Sequence, residues 1–154
     1  MKNITRVSKA AALRTIKTGE RDACIPENIH VIMPEAAAKK WLRDLRSGTF
    51  IQDEGALHCP LSGGFCCLGV QQYGALKGHV EVDDHDEYET LPTMDYLNGQ
   101  GIAFLDEDGY TGRNPWVPKV GFDIADLNDS MNNDVHRNDF RKMADYIEST
   151  LAVY

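Results

Sequence analysis

A stretch of nine residues, from Ser62 to Val70, limits the folds open to this chain because it reads Ser-Gly-Gly-Phe-Cys-Cys-Leu-Gly-Val. Two glycines free the backbone, an aromatic ring anchors it, and two adjacent cysteines lead into a small apolar run. Residues this small and flexible allow another group to come close to the main chain. The pattern therefore predicts a close contact at this stretch with a helix, a ligand or a metal ion.

The length and composition are those of one globular domain. The chain has 154 residues, of which 42% are hydrophobic and 26% are charged, so it can bury a core without disulfides. We predict a single domain over residues 1–154, in which residues 1–33 form an N-terminal extension packed on a core of residues 34–154. No apolar run approaches the roughly 20 residues that span a bilayer. The N-terminus lacks the uninterrupted apolar segment of a secretory signal, so we expect a cytosolic protein without a membrane partner.

The charge of the chain disfavours direct binding to nucleic acids. The net charge is −8, from 24 acidic and 16 basic residues, and such a surface repels phosphate backbones. A basic pocket for a small anion stays compatible with this charge. An acidic segment at residues 81–89 also leaves open a protein that imitates nucleic acid and blocks a basic partner. The simpler interpretation is that the negative charge keeps the protein soluble.

Apolar spacing and turn residues predict a mixture of helices and strands. Helices are expected at residues 4–16, 34–46, 65–76, 92–97 and 122–129, and from residue 138 or 139 onward. Strands are expected at residues 29–33, 49–52, 56–59 and 102–105, with a hairpin turn at 53–55. The predicted fold class is α+β: a single compact domain with four or five helices on a small antiparallel sheet.

Scattered fragments of the chain form a pattern that resembles a family of small, uncharacterised bacteriophage proteins. The pattern runs W-L-x-x-L-R-S-G, then F-C-C-L-G-V, then L-N-D, then F-x-x-x-A-D-x-I-E, and it matches Trp41–Gly48, Phe65–Val70, Leu127–Asp129 and Phe140–Glu148. Gln52 and Leu91-Pro92 fit the same pattern. The resemblance implies a phage or prophage origin and no catalytic residue. The chain departs from the pattern at its N-terminus and at residues 130–137, which look like an insertion.

The adjacent cysteines allow two interpretations. A cysteine near the start of a helix lies in a positive field that favours the thiolate, so Cys67 or Cys66 with His58 as base would suit a thiol-dependent enzyme. Free cysteine also fills small apolar gaps, and the apolar neighbours of the pair favour this second role. We favour a packing hub, which comprises Cys66, Cys67, Gly69, Trp41 and Phe140.

A metal site is the weaker alternative for the same stretch. His58, Cys59, Cys66 and Cys67 supply four ligands of the kind that zinc accepts. Adjacent cysteines point in different directions, however, and the spacing differs from that of recognised zinc sites. We therefore predict neither a metal nor a cofactor.

The predicted ligand-binding residues lie in loops. Trp116 stands beside Arg113 and Asn114, a combination suited to stacking on a ring and contacting an anion, although Trp116 can also cover the core. His79 and His85 complete the predicted set.

These observations favour a phage-encoded binding protein of the host cytoplasm, which acts during infection in counter-defence or host takeover. Its expected partner is a host protein or a small nucleotide-like signalling molecule, and a homo-oligomer is compatible with this role. The alternatives are a thiol-dependent enzyme centred on Cys67 and an acidic nucleic-acid mimic.

Overall fold

A computed structural model describes residues 4–53, 57–59, 62–80, 91–109, 119–132 and 140–154. These residues form helices and short strands in the following chain order: β1 (Thr5–Arg6), α1 (Lys9–Thr18), β2 (Val31–Met33), α2 (Glu35–Arg46), β3 (His58–Cys59), β4 (Gly64–Phe65), α3 (Cys67–Ala75), α4 (Met94–Gln100), β5 (Ala103–Phe104), α5 (Lys119–Asn132), α6 (Phe140–Thr150) and β6 (Leu151–Val153). The predicted α+β class is confirmed.

The larger sheet is mixed rather than antiparallel. Its four strands lie in the order β1-β6-β2-β5. β6 is parallel to both β1 and β2, whereas β2 and β5 are antiparallel. All residues of β2 and β6 are buried, as expected for central strands covered on both faces. The described residues form six helices, one in each segment where a helix was expected, although the predicted fold class has four or five on the sheet.

The chain divides into two compact units. Unit 1 comprises Met1–Lys39, Thr93–Gly121 and Tyr146–Tyr154, and it holds the four-stranded sheet with α1 and α4. Unit 2 comprises Lys40–Pro92 and Phe122–Asp145, and it holds β3, β4 and α3. The single domain stays a prediction. Within unit 1, β2 lies between β6 and β5, so residues 31–33 are central to the sheet although the sequence assigned them to the N-terminal extension.

Helix α1 begins later than predicted. Thr5 and Arg6 pair with β6 as a strand, so the predicted helix start at residue 4 is wrong. The helix begins after Ser8, whose Oγ accepts a hydrogen bond from the backbone N–H of Ala11 at 3.1 Å. Gly19 ends the helix in a left-handed conformation with φ 78°, two residues after the basic Lys17.

The strand at residues 58–59 forms a hairpin with the strand that follows it, and not with residues 49–52 as predicted. β3 pairs antiparallel with β4, so His58 lies opposite Phe65. Gln52 forms a parallel bridge to Phe65 from the other side. The turn of the hairpin contains Gly63, which adopts φ 73° and donates its N–H to the carbonyl oxygen of Cys59 at 2.8 Å. The glycine pair therefore builds the hairpin, with Gly63 in its turn and Gly64 in β4.

Helix α5 begins three residues before the predicted segment 122–129, at a point where a distant carboxylate caps it. The two carboxylate oxygens of Asp106 accept hydrogen bonds from the backbone N–H groups of Lys119 and Val120, at 3.3 and 2.8 Å. These are orphan donors of the first helical turn, and an acidic side chain satisfies them well. The predicted cap of α6 at residue 138 or 139 lies outside the described residues.

The other long helices follow their apolar stripes. On α2, Ala38, Trp41, Leu42 and Leu45 are buried, as their spacing predicted. On α6, the buried face contains Phe140, Met143, Ala144 and Ile147. Among the helices that the structure describes, none combines the length and apolarity needed to cross a membrane.

Candidate functional site

The cysteine pair begins helix α3 in unit 2. Cys66 is the N-cap, and its Sγ accepts a hydrogen bond from the backbone N–H of Gly69 at 3.4 Å. Cys67 is the first helical residue. The exposed fraction is 2% for Cys66 and 0% for Cys67. The sulfur of Cys66 therefore fills the capping position that serine or threonine usually takes.

The close contact predicted for this stretch is made by the protein's own backbone. A Cβ atom at Gly69 would overlap the carbonyl oxygen of Leu57 and lie 2.6 Å from its carbonyl carbon. The same carbonyl oxygen accepts a hydrogen bond from the N–H of Cys66 at 3.2 Å. The small residues thus let the segment before β3 cross the first turn of α3.

Side chains from two other helices hold the start of α3. Trp41 donates its indole N–H to the carbonyl oxygen of Cys67 at 2.8 Å, and both groups are buried. Asn128 accepts a hydrogen bond through Oδ1 from the N–H of Cys67 at 3.2 Å and another from Nε2 of Gln52 at 3.0 Å. Its Nδ2 donates to the carbonyl oxygen of Asp53 at 2.9 Å. Trp41, Cys66, Cys67 and Gly69 of the packing hub therefore meet in unit 2, and Phe140 is buried in α6.

Asn128 and Gln52 are the members of this network that sequence reasoning did not single out. Both are buried polar residues, with exposed fractions of 0% for Asn128 and 2% for Gln52. The sequence did hold a signal for these two residues, because both belong to the fragments that resemble small bacteriophage proteins. Nothing in their local sequence showed that they would face each other.

Burial weakens the thiol-enzyme interpretation. A nucleophilic cysteine needs access for its substrate, and neither Cys66 nor Cys67 has it. His58 stacks on Phe65 with 4.1 Å between ring centroids, and its Nδ1 lies 3.0 Å from the carbonyl oxygen of Gly64. Across the described part of the chain, no three His, Cys, Asp or Glu side chains converge as metal ligands would.

We expect a clear order of reactivity when the folded protein is labelled with a thiol reagent. Cys24 is exposed and should react within minutes, whereas Cys66 and Cys67 should react only when the protein unfolds. Mass spectrometry of the labelled peptides would measure this. Rapid labelling of Cys66 or Cys67 in the folded state would contradict the hub interpretation and restore the enzyme alternative.

Most of the predicted ligand-binding set lies outside the described residues. This applies to His85, Arg113, Asn114 and Trp116, and to the acidic segment 81–89. His79 is described and exposed, and it follows the end of α3.

A different candidate site lies in unit 2 between α2 and α3. It is an open cavity of about 440 Å³, which we call the cation cavity, and its charged lining residues are Lys40, Arg43, Asp44 and Lys77. Phe50 and Tyr73 contribute aromatic rings, and Ser47 and Thr49 contribute hydroxyl groups. The volume falls within the range of about 300–1,000 Å³ that is typical of small-molecule sites.

The wall of the cation cavity is built on a cluster of rings. Phe50, Phe65 and Tyr73 meet edge to face in all three pairs, with ring centroids 5.1–5.6 Å apart. Such contacts fix the orientation of each ring. Phe50 and Tyr73 are only half-buried, so the cavity has a rigid aromatic surface that remains partly accessible.

The α3 side of the cavity contains Gly74, which has no side chain. A Cβ at Gly74 would lie 2.9 Å from Oδ2 of Asp44 and 3.1 Å from Cε of Lys40. The absence of this atom gives the Lys40–Asp44 ion pair room to lie against α3, with 3.0 Å between Nζ and Oδ2.

The cation cavity is positively charged. Three cations and one carboxylate line it, which leaves a net charge of +2 in a chain whose net charge is −8. Arg43 and Lys77 are exposed, and neither forms an ion pair within the described ranges. A local positive field of this kind attracts anions.

The sequence carried a signal for the α2 side of this cavity. Lys40, Arg43 and Asp44 of α2 and Ser47, which directly follows the helix, have the i, i+3, i+4, i+7 spacing of one helix face. The pairing of this face with the end of α3 is a tertiary feature.

Comparison of the chain with protein-family models, with curated proteins and with solved structures gives no match. The geometry and charge of unit 2 are therefore the observations that bear on function.

Proposed function

We propose that this protein binds a small anionic, nucleotide-like molecule in the cation cavity. The observation that carries the proposal is the concentration of positive charge on an accessible cavity within an acidic chain. A chain of net charge −8 gains no general solubility from grouping three cations in one place. An anionic ligand, by contrast, gains from Arg43 and Lys77, which form no ion pair within the described ranges, and from the net charge of +2.

The lining residues match the parts of a nucleotide. Arg43 offers a planar fork of donors for phosphate oxygens, and Lys77 offers a compact charge. Tyr73 and Phe50 provide ring surface for a base, and ring contacts of this type contribute about 1–3 kcal/mol. Ser47 and Thr49 add hydroxyl groups at the same cavity.

The biological setting is a further part of the proposal. The fragments that resemble small bacteriophage proteins support a phage-encoded protein that acts in the host cytoplasm on a small signalling molecule. Sequestering such a molecule would interrupt a host response. A host protein remains the alternative partner, and the acidic mimic depends on residues 81–89, which the structure does not describe.

A thermal-shift experiment tests the binding proposal. We expect adenosine 5′-monophosphate or inorganic pyrophosphate at about 100 times its Kd to raise Tm by at least about 5 °C, because ligand binding stabilises the native state. Adenosine, which has the ring but no charge, should raise Tm much less. The gain should shrink as ionic strength rises.

Two matched arginine variants locate the site. Arg43→Gln should weaken binding of adenosine 5′-monophosphate about 10-fold, since a charge-assisted hydrogen bond is lost. Arg141→Gln removes the same charge from an exposed position on α6 outside the cavity lining, and it should leave Kd unchanged. Isothermal titration calorimetry would measure both. Equal effects of the two variants would show that only overall charge matters, and no binding of either anion by the natural protein would refute the proposal.

A further inference from the structure

Lys77 has an unusual backbone conformation. Its φ is 54°, and among the residues that the structure describes it is the one non-glycine residue with positive φ. It stands just after Leu76, the C-cap of α3, and before Gly78, whose φ is 93°. The N–H of Gly78 donates to the carbonyl oxygen of Tyr73 at 2.8 Å. This is the Schellman ending of a helix, in which glycine normally occupies the position of Lys77.

The left-handed conformation is unfavourable for lysine, and the fold gains little from having lysine rather than glycine at this position. A Cβ atom in the left-handed region crowds the neighbouring carbonyl oxygen. The Lys77 side chain is exposed and forms no ion pair with any described residue. A cation near the end of a helix interacts well with the helix dipole, but a lysine one turn earlier would gain the same interaction without strain. Neither packing nor the helix dipole therefore accounts for a lysine at this position.

The place of Lys77 in the lining of the cation cavity gives a reason for a lysine at this position. Lys77 lines the cation cavity from the end of α3, whereas Arg43 lines it from α2. A ligand group between them would meet cations from two separate elements. A phosphate monoester carries nearly two negative charges near neutral pH and three acceptor oxygens, so it can use both cations at once. A carboxylate carries one charge and benefits less.

We infer that Lys77 is the specificity-determining residue of the cation cavity and that it selects a phosphate ester over a carboxylate. The inference rests on the proposed function, because it assigns the ligand class of that same cavity. The strained backbone conformation places the lysine at the cavity, whereas glycine at this position would suit the fold better.

The test combines stability and binding in one set of variants. Lys77→Gly should raise Tm without ligand by about 2–4 °C and weaken binding of adenosine 5′-monophosphate about 10-fold. Lys77→Asn tolerates the left-handed conformation better than lysine and lacks the charge, so it should weaken binding equally. Lys77→Arg keeps the charge and should bind nearly as well as the natural protein.

The comparison ligand is adenosine 5′-carboxylate, which has the same nucleoside with a single negative charge. The natural protein should prefer the phosphate at least about 10-fold, and Lys77→Gly should lose most of that preference. Unchanged affinity or unchanged preference in Lys77→Gly would overturn the role of Lys77 while leaving the cavity as a binding site. A lower Tm for Lys77→Gly would overturn the strain argument. If the natural protein binds neither adenosine 5′-monophosphate nor pyrophosphate, the proposed function fails and this inference fails with it.

Discussion

Gly69→Ala should destabilise the protein by about 3 kcal/mol or more, because the added methyl group would collide with main-chain atoms. It would overlap the carbonyl oxygen of Leu57 and lie 2.6 and 3.0 Å from the carbonyl carbon and Cα of that residue. Leu57 is 1% exposed, and its carbonyl oxygen accepts the hydrogen bond from Cys66. Relief of the collision requires the two segments to separate, which breaks this hydrogen bond.

Gly74→Ala in the same helix is the matched control. The three atoms nearest to its methyl group are at the ends of the Asp44 and Lys40 side chains, which can swing away. The helix propensity of alanine exceeds that of glycine by about 1 kcal/mol and offsets the disturbance. Urea denaturation should therefore place Gly74→Ala within about 1 kcal/mol of the natural protein. Equal losses in both variants would show that α3 tolerates no side chain at either position and would remove the special role of Leu57.

The sequence predicted those features that a single segment determines. The apolar stripes of α2 and α6 became buried faces because a helix repeats its exposure every 3.6 residues. The run Val31-Ile32-Met33 became a fully buried strand for a similar local reason.

Features that depend on a distant partner could not be predicted in this way. β1 has two residues and pairs with β6 near the other end of the chain. The first turn of α5 is capped by the carboxylate of Asp106, which precedes the helix by 13 residues. The hairpin partner of β3 was misassigned because strands of two residues contain no measurable alternation.

The candidate site shows the same division. The α2 side of the cation cavity follows helical spacing that the sequence displays, whereas Lys77 on the other side lies beyond the end of α3, and nothing in the sequence shows that the two sides face each other. The sequence does not show why position 74 is a glycine, because the reason is the nearby position of the Asp44 side chain in the folded protein. The loop residues predicted to bind ligand, apart from His79, lie outside the described part of the chain, so that prediction stays a prediction.

Asn128→Ala should be the most damaging substitution of a polar side chain in the hub, with a loss of about 3 kcal/mol. The Asn128 side chain is fully buried, and its removal takes one hydrogen bond each from the N–H of Cys67, the carbonyl oxygen of Asp53 and Nε2 of Gln52. Nε2 of Gln52 keeps its bond to the backbone carbonyl oxygen of Asn128 at 3.3 Å. Water cannot replace these bonds unless the hub opens. Asn98→Ala removes the same group from an exposed position on α4 and should change the free energy of unfolding by less than about 0.5 kcal/mol.

Asn128→Asp separates the lost hydrogen bonds from the lost volume. The protonated acid has the shape of asparagine and can still donate to the carbonyl oxygen of Asp53, whereas the ionised form places a buried negative charge against that oxygen. The folded state therefore holds the proton more tightly than the unfolded chain, and the pKa of the new carboxyl group rises above the ordinary value of about 4. Relative to the natural protein, the variant should be least destabilised below about pH 4 and lose stability as the pH rises through the folded-state pKa. Urea denaturation of both proteins from pH 4 to pH 8 would measure this, and a difference that does not vary with pH would contradict the hydrogen bond from Asn128 to Asp53.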